Sequence, residues 1–149
     1  MSHPEPLPIP PVDSATDPVH SAADMCQRWR ALMGPLGFGE RLLWIGFVGP
    51  DRRMYKTLSQ VPLGSRPRRG RIEFVISRLA RVLDGLDPGT TVALLLTRPG
   101  HGAISSADRQ WSALLTEAAA RYAIPLEPIF RANDQSLVQV EPVDAPRRG

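Results

Sequence analysis

The chain has 149 residues, 42% of which are apolar, and a formal net charge of +3. This length accommodates one domain with a buried core, and no apolar run approaches the roughly 20 residues that a membrane-spanning helix needs. Residues 1–24 contain four acids and no Lys or Arg, which leaves 18 basic and 11 acidic residues in the rest of the chain. Such a surplus predicts an anionic partner, although a base-composition bias in the source genome would produce the same excess of arginine.

The cysteine content bears on the cellular compartment. The single cysteine, Cys26, excludes an intrachain disulfide and suits a reducing environment. The N-terminal residues do not resemble a secretory signal, because no basic segment is followed by an apolar one. We therefore expect a cytoplasmic protein that has no contact with a membrane. Cys26 falls on the apolar face of a predicted helix, which favours a buried, inert thiol over a nucleophile.

Residues 1–20 are rich in proline, with six prolines at positions 4, 6, 8, 10, 11 and 18. Proline at this density cannot join a helix or a central strand, so this segment is predicted to be a disordered or polyproline-type tail. The folded domain is predicted to span residues 21–141. Residues 142–149 are predicted to form a flexible C-terminal tail.

The domain opens with a predicted helix followed by a β-hairpin. Ser21 and Asp24 have the spacing of a capping box, and the helix is expected to stop at Gly34. Leu42–Val48 is an apolar strand, and the Gly-Pro-Asp-Arg sequence after it favours a turn. Met54–Val61 alternates in polarity, which predicts a half-exposed strand that pairs antiparallel with the first.

The densest basic run follows, from Pro62 to Arg71, and leads into a helix predicted over Arg71–Leu83. Positive charge at a helix N-terminus opposes the helix dipole, so stability alone would not select it. The run is therefore a candidate anion-binding or nucleic-acid-binding site. Its candidate residues are Arg66, Arg68, Arg69 and Arg71.

The next stretch organises the rest of the domain. Val92–Leu96 is a five-residue apolar run, typical of a strand that is buried on both faces. A glycine-containing loop follows, and Ser105 with Asp108 then forms a predicted capping box at the start of a long amphipathic helix. Two short strands, Leu126–Phe130 and Leu137–Val140, complete the element order αββαβαββ. We therefore predict an α/β (α+β) fold with a mixed central sheet and about three helices.

This order and several local motifs resemble the RadC-type branch of the JAB (JAMM) domain family over roughly Glu40 to Glu141. Arg71-Ile-Glu-Phe is similar to the start of the family's first core helix, and Ala123-Ile-Pro-Leu-Glu to the segment after its long helix. Leu94-Leu-Leu-Thr-Arg-Pro lies where the family has an apolar strand ending in His-x-His-Pro. Ser105-Ser-Ala-Asp lies where the family has Ser-x-x-Asp.

In that family the two histidines and the aspartate bind zinc, which activates a water for hydrolysis. Here the histidine positions hold Leu96 and Arg98. Leucine has no donor atom, and the guanidinium stays protonated and cannot bind a metal. The resemblance therefore implies a domain that has kept the scaffold but holds no metal and uses no cofactor.

Three residues near the lost metal site are weak catalytic candidates: His101, Ser105 and Asp108. Helix capping explains Ser105 and Asp108 without any catalysis, and His101 is explained as a surface-loop histidine. Arg98 could form an ion pair with Asp108 across the loop, or contribute to binding an anion. Whether this loop retains a site depends on whether the three side chains of Arg98, His101 and Asp108 converge.

Three functions follow as hypotheses. The leading one is a metal-free JAB/RadC-like binding module whose Arg-rich loop contacts nucleic acid, with a link to DNA repair that the family resemblance suggests. A second is a dimerising scaffold for protein interactions. A third is a metal-independent enzyme that acts on a small anionic substrate held near the start of the long helix.

Overall fold

The computed structural model describes residues 9–141. Within this range a 3-10 helix spans Val12–Thr16, and the α-helices are α1 Ala22–Met33, α2 Arg69–Asp84 and α3 Ser106–Arg121. The strands are β1 Leu42–Val48, β2 Ser59–Pro62, β3 Thr91–Thr97, β4 Phe130–Ala132 and β5 Leu137–Gln139. They form one sheet in the order β2-β1-β3-β4-β5. The prediction of an α/β fold with a mixed sheet and three helices is confirmed.

Strand β3 is the middle strand of this sheet, as its unbroken apolar run predicts. It pairs antiparallel with β1 and parallel with β4, and α3 forms the crossover between the two parallel strands. Val92, Leu94 and Leu96 face one core, together with apolar residues of α2 and α3. Ala93 and Leu95 face the other core, which α1 covers. The sheet is therefore the middle of three layers, and its middle strand β3 is buried on both faces.

The edges of the sheet differ from the sequence prediction. The hairpin between β1 and β2 is antiparallel as expected, but the second strand begins at Ser59, and Met54 contributes only an isolated bridge to Val48. On the other side, the strand predicted at Leu126–Phe130 begins at Phe130. Pro125 and Pro128 have no N–H to donate to a ladder, so regular pairing is delayed.

The N-terminal boundary of the domain also differs from the prediction. Residues 9–20 were expected to belong to a disordered tail, yet Val12–Thr16 forms a 3-10 turn and Val19 is fully buried. The backbone groups of Val19 and Arg52 bond to each other, with Val19 N–H donating to the Arg52 carbonyl at 2.7 Å. The Arg52 side chain also donates from Nε to the Val19 carbonyl at 2.8 Å. The packed unit therefore begins before residue 21.

The rest of the two predicted tails, residues 1–8 and 142–149, lies outside the described residues. Across the described range, 9–141, none of the helices combines the length and the apolar character needed to cross a bilayer.

Candidate functional site

Asp108 lies in the first turn of α3, where the structure confirms the predicted capping box. The Ser105 hydroxyl accepts a hydrogen bond from the Asp108 N–H at 3.1 Å, and Asp108 Oδ2 accepts one from the Ser105 N–H at 2.9 Å. This reciprocal pair satisfies two backbone donors that the helix start would leave free. Unlike an ordinary cap residue on a surface, Asp108 is completely buried. Its charge therefore needs partners inside the protein.

Arg98 is the main partner of that charge. It follows β3 directly, and its guanidinium donates to both carboxylate oxygens, from Nε to Oδ1 at 2.8 Å and from Nη2 to Oδ2 at 2.9 Å. The Arg98 side chain is 11% exposed. The ion pair that the sequence suggested therefore forms, with the parallel two-bond geometry that makes Arg–carboxylate pairs strong.

Two further arginines reach the same carboxylate, and sequence reasoning missed both. Arg131 of β4 is completely buried, with its Nε 3.3 Å from Asp108 Oδ2. Arg41, which immediately precedes β1, places Nη1 3.6 Å from Oδ1. Only the sheet order brings these residues together, because β1 and β4 flank β3 on opposite sides. The available signal was a charged residue inside the apolar strand Phe130–Ala132.

Arg131 also anchors the loop that follows β3. Its Nη1 donates to the Ser136 carbonyl and hydroxyl, and its Nη2 donates to the Gly102 carbonyl at 3.1 Å. The loop glycines at 100 and 102 both have positive φ, which permits their N–H groups to turn toward the β4–β5 turn. There they donate to Asp134 and Gln135. The loop that carries His101 is therefore held at both glycines.

The pKa values of the four charged residues in the cluster shift in different directions. Burial raises the pKa of Asp108, but hydrogen bonds from Arg98 and Ser105 outweigh it and lower the pKa to about 2. The hydrogen bond to Asp108 raises the pKa of Arg98. Burial lowers the pKa of Arg41 and of Arg131, against the opposing attraction of Asp108. The Asp108 carboxylate is thus the shared partner of three guanidiniums. It stays ionised at neutral pH, so it accepts hydrogen bonds there and cannot donate a proton.

The residues at the family's zinc position do not fit zinc. Leu96 is buried in the core with 1% exposure, and Arg98 is a fixed cation. Both oxygens of Asp108 already accept hydrogen bonds from Arg98, and Oδ2 also accepts one from Ser105. Within residues 9–141 no three His, Cys, Asp or Glu side chains come together as a metal-binding group.

A surface cavity of about 670 Å³ opens in front of the cluster. Its wall includes Glu40, Arg41, Ser65, Arg98, His101 and Ser105. His101 is exposed there and makes no hydrogen bond to any described residue, whereas the Ser105 hydroxyl is engaged as the helix cap. Arg98 and Asp108 therefore converge with each other, while His101 stands apart from Asp108 at the cavity wall.

The Arg-rich loop divides into tethered and untethered residues. Arg71 donates from Nε and Nη2 to the Pro62 carbonyl, and Arg69 pairs with Glu117 at 3.3 Å. Arg66 and Arg68 are exposed, and their side chains make no hydrogen bond or ion pair to any residue in the described range. A second cavity, of about 510 Å³, is lined by this loop and shares Gly64 and Ser65 with the first.

Comparisons with known proteins were negative. No family model, no curated protein and no solved structure matches the chain. The resemblance to RadC-type domains therefore stays a prediction that is based on the residues.

Proposed function

We propose that this chain is a metal-free binding module of RadC-like JAB type that contacts nucleic acid without hydrolysing it. The observation that carries the proposal is a pair of neighbouring cavities that share Gly64 and Ser65. One is lined by Arg41 and Arg98, and the other by Arg66, Arg68 and Arg71. Neighbouring basic cavities of this kind are suited to a phosphate backbone.

Arg66 and Arg68 supply the charge that is free to bind. Both are exposed, and neither is neutralised by a carboxylate among the described residues. Arg68 occupies the N-cap position of α2, and its side chain makes no capping hydrogen bond. The guanidinium fork is suited to phosphate oxygens. These two residues are therefore expected to carry most of the salt-sensitive affinity.

The absence of hydrolysis is proposed from the local chemistry. The carboxylate that would bind the metal in the family is instead held by Arg98 at 2.8 and 2.9 Å. The pKa of Asp108, lowered to about 2, keeps it from acting as a general acid or base near neutral pH. The site is suited to holding a ligand in place.

The test is the binding of single-stranded and duplex DNA, measured by fluorescence anisotropy across a range of salt concentrations. We expect affinity to fall steeply with salt, because phosphate contacts release counterions. The double variant Arg66→Ser, Arg68→Ser should flatten the slope of log K against log salt by about 1.4 to 1.8. A change in slope of this size corresponds to the loss of two phosphate contacts.

The matched control is Lys56→Ser, Arg81→Ser, which removes two exposed charges outside both cavities. This variant should keep the wild-type slope. No binding at low salt would overturn the proposal, and so would an equal loss of slope in both double variants.

A second candidate, the dimerising scaffold, is favoured by one observation. Phe74 and Val82 on α2 are 62% and 50% exposed beside an apolar groove of about 310 Å³. Exposed aromatic side chains of this kind mark interaction surfaces. Light scattering should then give a dimer mass that Phe74→Ser reduces to the monomer. A monomer across the accessible concentration range would contradict this alternative.

A further inference from the structure

Arg41 is a mostly buried cation whose hydrogen-bonding capacity is not satisfied. Its side chain is only 17% exposed, and Nη1 is fully buried without a hydrogen-bond partner. The Asp108 oxygen nearest to it lies 3.6 Å away, beyond a hydrogen bond, and Arg98 already uses that oxygen at 2.8 Å. A buried guanidinium is costly when its donors are unused, and such exceptions require an explanation.

Although its Nη1 is buried, the Arg41 side chain also lines a cavity that has room for a ligand. Arg41 and Arg98 both line the cavity of about 670 Å³, a volume within the range of roughly 300 to 1,000 Å³ that is usual for small-molecule sites. Arg98 makes three side-chain hydrogen bonds, two to Asp108 and one to the Pro99 carbonyl at 3.2 Å. A guanidinium has five N–H donors, so Arg98 also keeps donors free.

The balance of charge at the cavity decides what kind of anion fits. Besides the arginines and His101, the wall includes the exposed Glu40, and Asp134 faces Arg98 from the β4–β5 turn. Asp134 accepts from the N–H groups of Gly100 and Phe38, so its charge is partly satisfied. A singly charged anion would gain little binding free energy here, because positive and negative side chains both surround the cavity. A doubly charged group with several acceptor oxygens gains more, because it can accept from the remaining N–H donors of both guanidiniums.

We infer that this cavity binds a terminal phosphomonoester, at the end of the nucleic-acid strand whose backbone lies along Arg66 and Arg68. A phosphomonoester carries about −1.5 to −2 charges at pH 7 and three acceptor oxygens, whereas a diester inside a strand carries about one charge. The cavity shares Gly64 and Ser65 with the loop cavity, so a strand that leaves it meets the loop directly. The inference rests on the proposed function, since nucleic acid supplies the phosphate.

The experiment compares one 12-nucleotide strand in three forms, with a 5′-phosphate, with a 3′-phosphate and with hydroxyls at both ends. Anisotropy at constant ionic strength should show about tenfold tighter binding of a phosphate-bearing form, the effect of one charge-assisted hydrogen bond. Arg41→Gln should abolish this preference while the hydroxyl-ended strand still binds. Arg41→Lys, which keeps the charge but loses the fork, should retain part of it.

Arg81→Gln is the matched control, because Arg81 is exposed and lies outside the cavity; it should keep the full preference. Thermal melting establishes that every variant is folded. Equal affinity for all three strands would overturn the inference and leave the proposed function standing, as would a preference that survives Arg41→Gln. Binding of none of the strands would overturn both. Inorganic phosphate that binds as tightly as the phosphorylated strand would show that the source is free phosphate, and would overturn the assignment to a strand end.

Discussion

Two arginines beside the same carboxylate have opposite energetic roles. Arg98 makes a two-bond pair with Asp108, whereas Arg41 contacts it only at 3.6 Å and leaves a buried donor unused. Removing one member of a buried ion pair strands the other, but removing an unsatisfied cation relieves a cost. Substitutions at the two residues are therefore expected to change the free energy of unfolding differently.

The first prediction follows from that contrast. Arg98→Gln should lower the free energy of unfolding by about 3 kcal/mol, because the buried charge of Asp108 loses its main partner. Arg41→Gln should leave it unchanged or raise it slightly. Urea denaturation of the two variants measures both effects. Equal destabilisation by the two substitutions would contradict the division of roles.

The second prediction concerns pH. The pKa of Asp108 is lowered from 3.8 to about 2 in the folded protein, so its ionised form favours folding above pH 4. This contribution, about 2 kcal/mol at 1.36 kcal/mol per pKa unit, should be lost as pH falls from about 4 to about 2. The pKa of Asp134 is also lowered, by the N–H groups of Gly100 and Phe38, so residue-resolved data are needed.

Carbon-13 NMR of the carboxyl groups separates the two aspartates. The Asp108 signal should titrate with a midpoint near pH 2, in the range over which stability is lost. A midpoint near 3.8 would mean that the bonds from Arg98 and Ser105 do not hold its charge in solution.

At the scale of elements, the start of α3 combines a helix cap with the ion-pair cluster. Ser105→Ala removes only the hydroxyl acceptor, because the bond from the Ser105 N–H to Asp108 uses the backbone. We predict a loss of about 1 kcal/mol, and only a few tenths for Ser105→Gly. Ser21→Ala at the start of α1 is the matched control and should cost a similar amount, since Ser21 accepts from the Asp24 N–H in the same way. A much larger loss at Ser105 would show a role beyond capping.

Sequence patterns were sufficient for the elements whose signals are local. The apolar run at Val92–Leu96 identified the middle strand, because a strand buried on both faces has no polar alternation. The Ser105 and Asp108 spacing identified the start of α3, because capping depends on residues three apart. For Arg98 the sequence left two roles open, an ion pair with Asp108 and anion binding, and the ion pair forms.

The features that sequence patterns did not identify depend on distant partners. Met54–Val61 alternates like a strand, but only Ser59–Pro62 finds a ladder with β1. Arg41 and Arg131 reach Asp108 because β1 and β4 flank β3, and no spacing within either segment predicts that contact. The sequence explains Asp108 as a helix-capping residue, but spacing alone does not reveal that the start of α3 faces the core.

At the scale of the whole molecule, the N-terminal segment belongs to the packed unit. Val19 is completely buried in the core that α1 covers, and Arg52 links the Val19 backbone to Glu127 through bonds of 3.0 and 3.1 Å. Arg52 adopts a φ of 64°, which non-glycine residues rarely adopt. The proline-rich composition predicted a disordered tail, so nothing in the sequence indicated this contact.

A fourth prediction tests that boundary. Val19→Ala should lower the free energy of unfolding by about 2 kcal/mol, because it leaves a cavity in a closed core. Val12→Ala should change it by less than about 0.5 kcal/mol, since Val12 is 70% exposed. Thermal denaturation of both variants measures the two changes in stability. Equal, small effects would mean that residues 9–20 do not stay packed in solution.

Under the proposed RadC-like resemblance, the Arg98 guanidinium takes the place of a zinc ligand. Elemental analysis tests this claim most directly, on pure protein that has been incubated with zinc and then dialysed against zinc-free buffer. We predict zinc far below one equivalent per chain, because Leu96 and Arg98 offer no donor and Asp108 is held by Arg98. One zinc per chain that survives dialysis would contradict the claim.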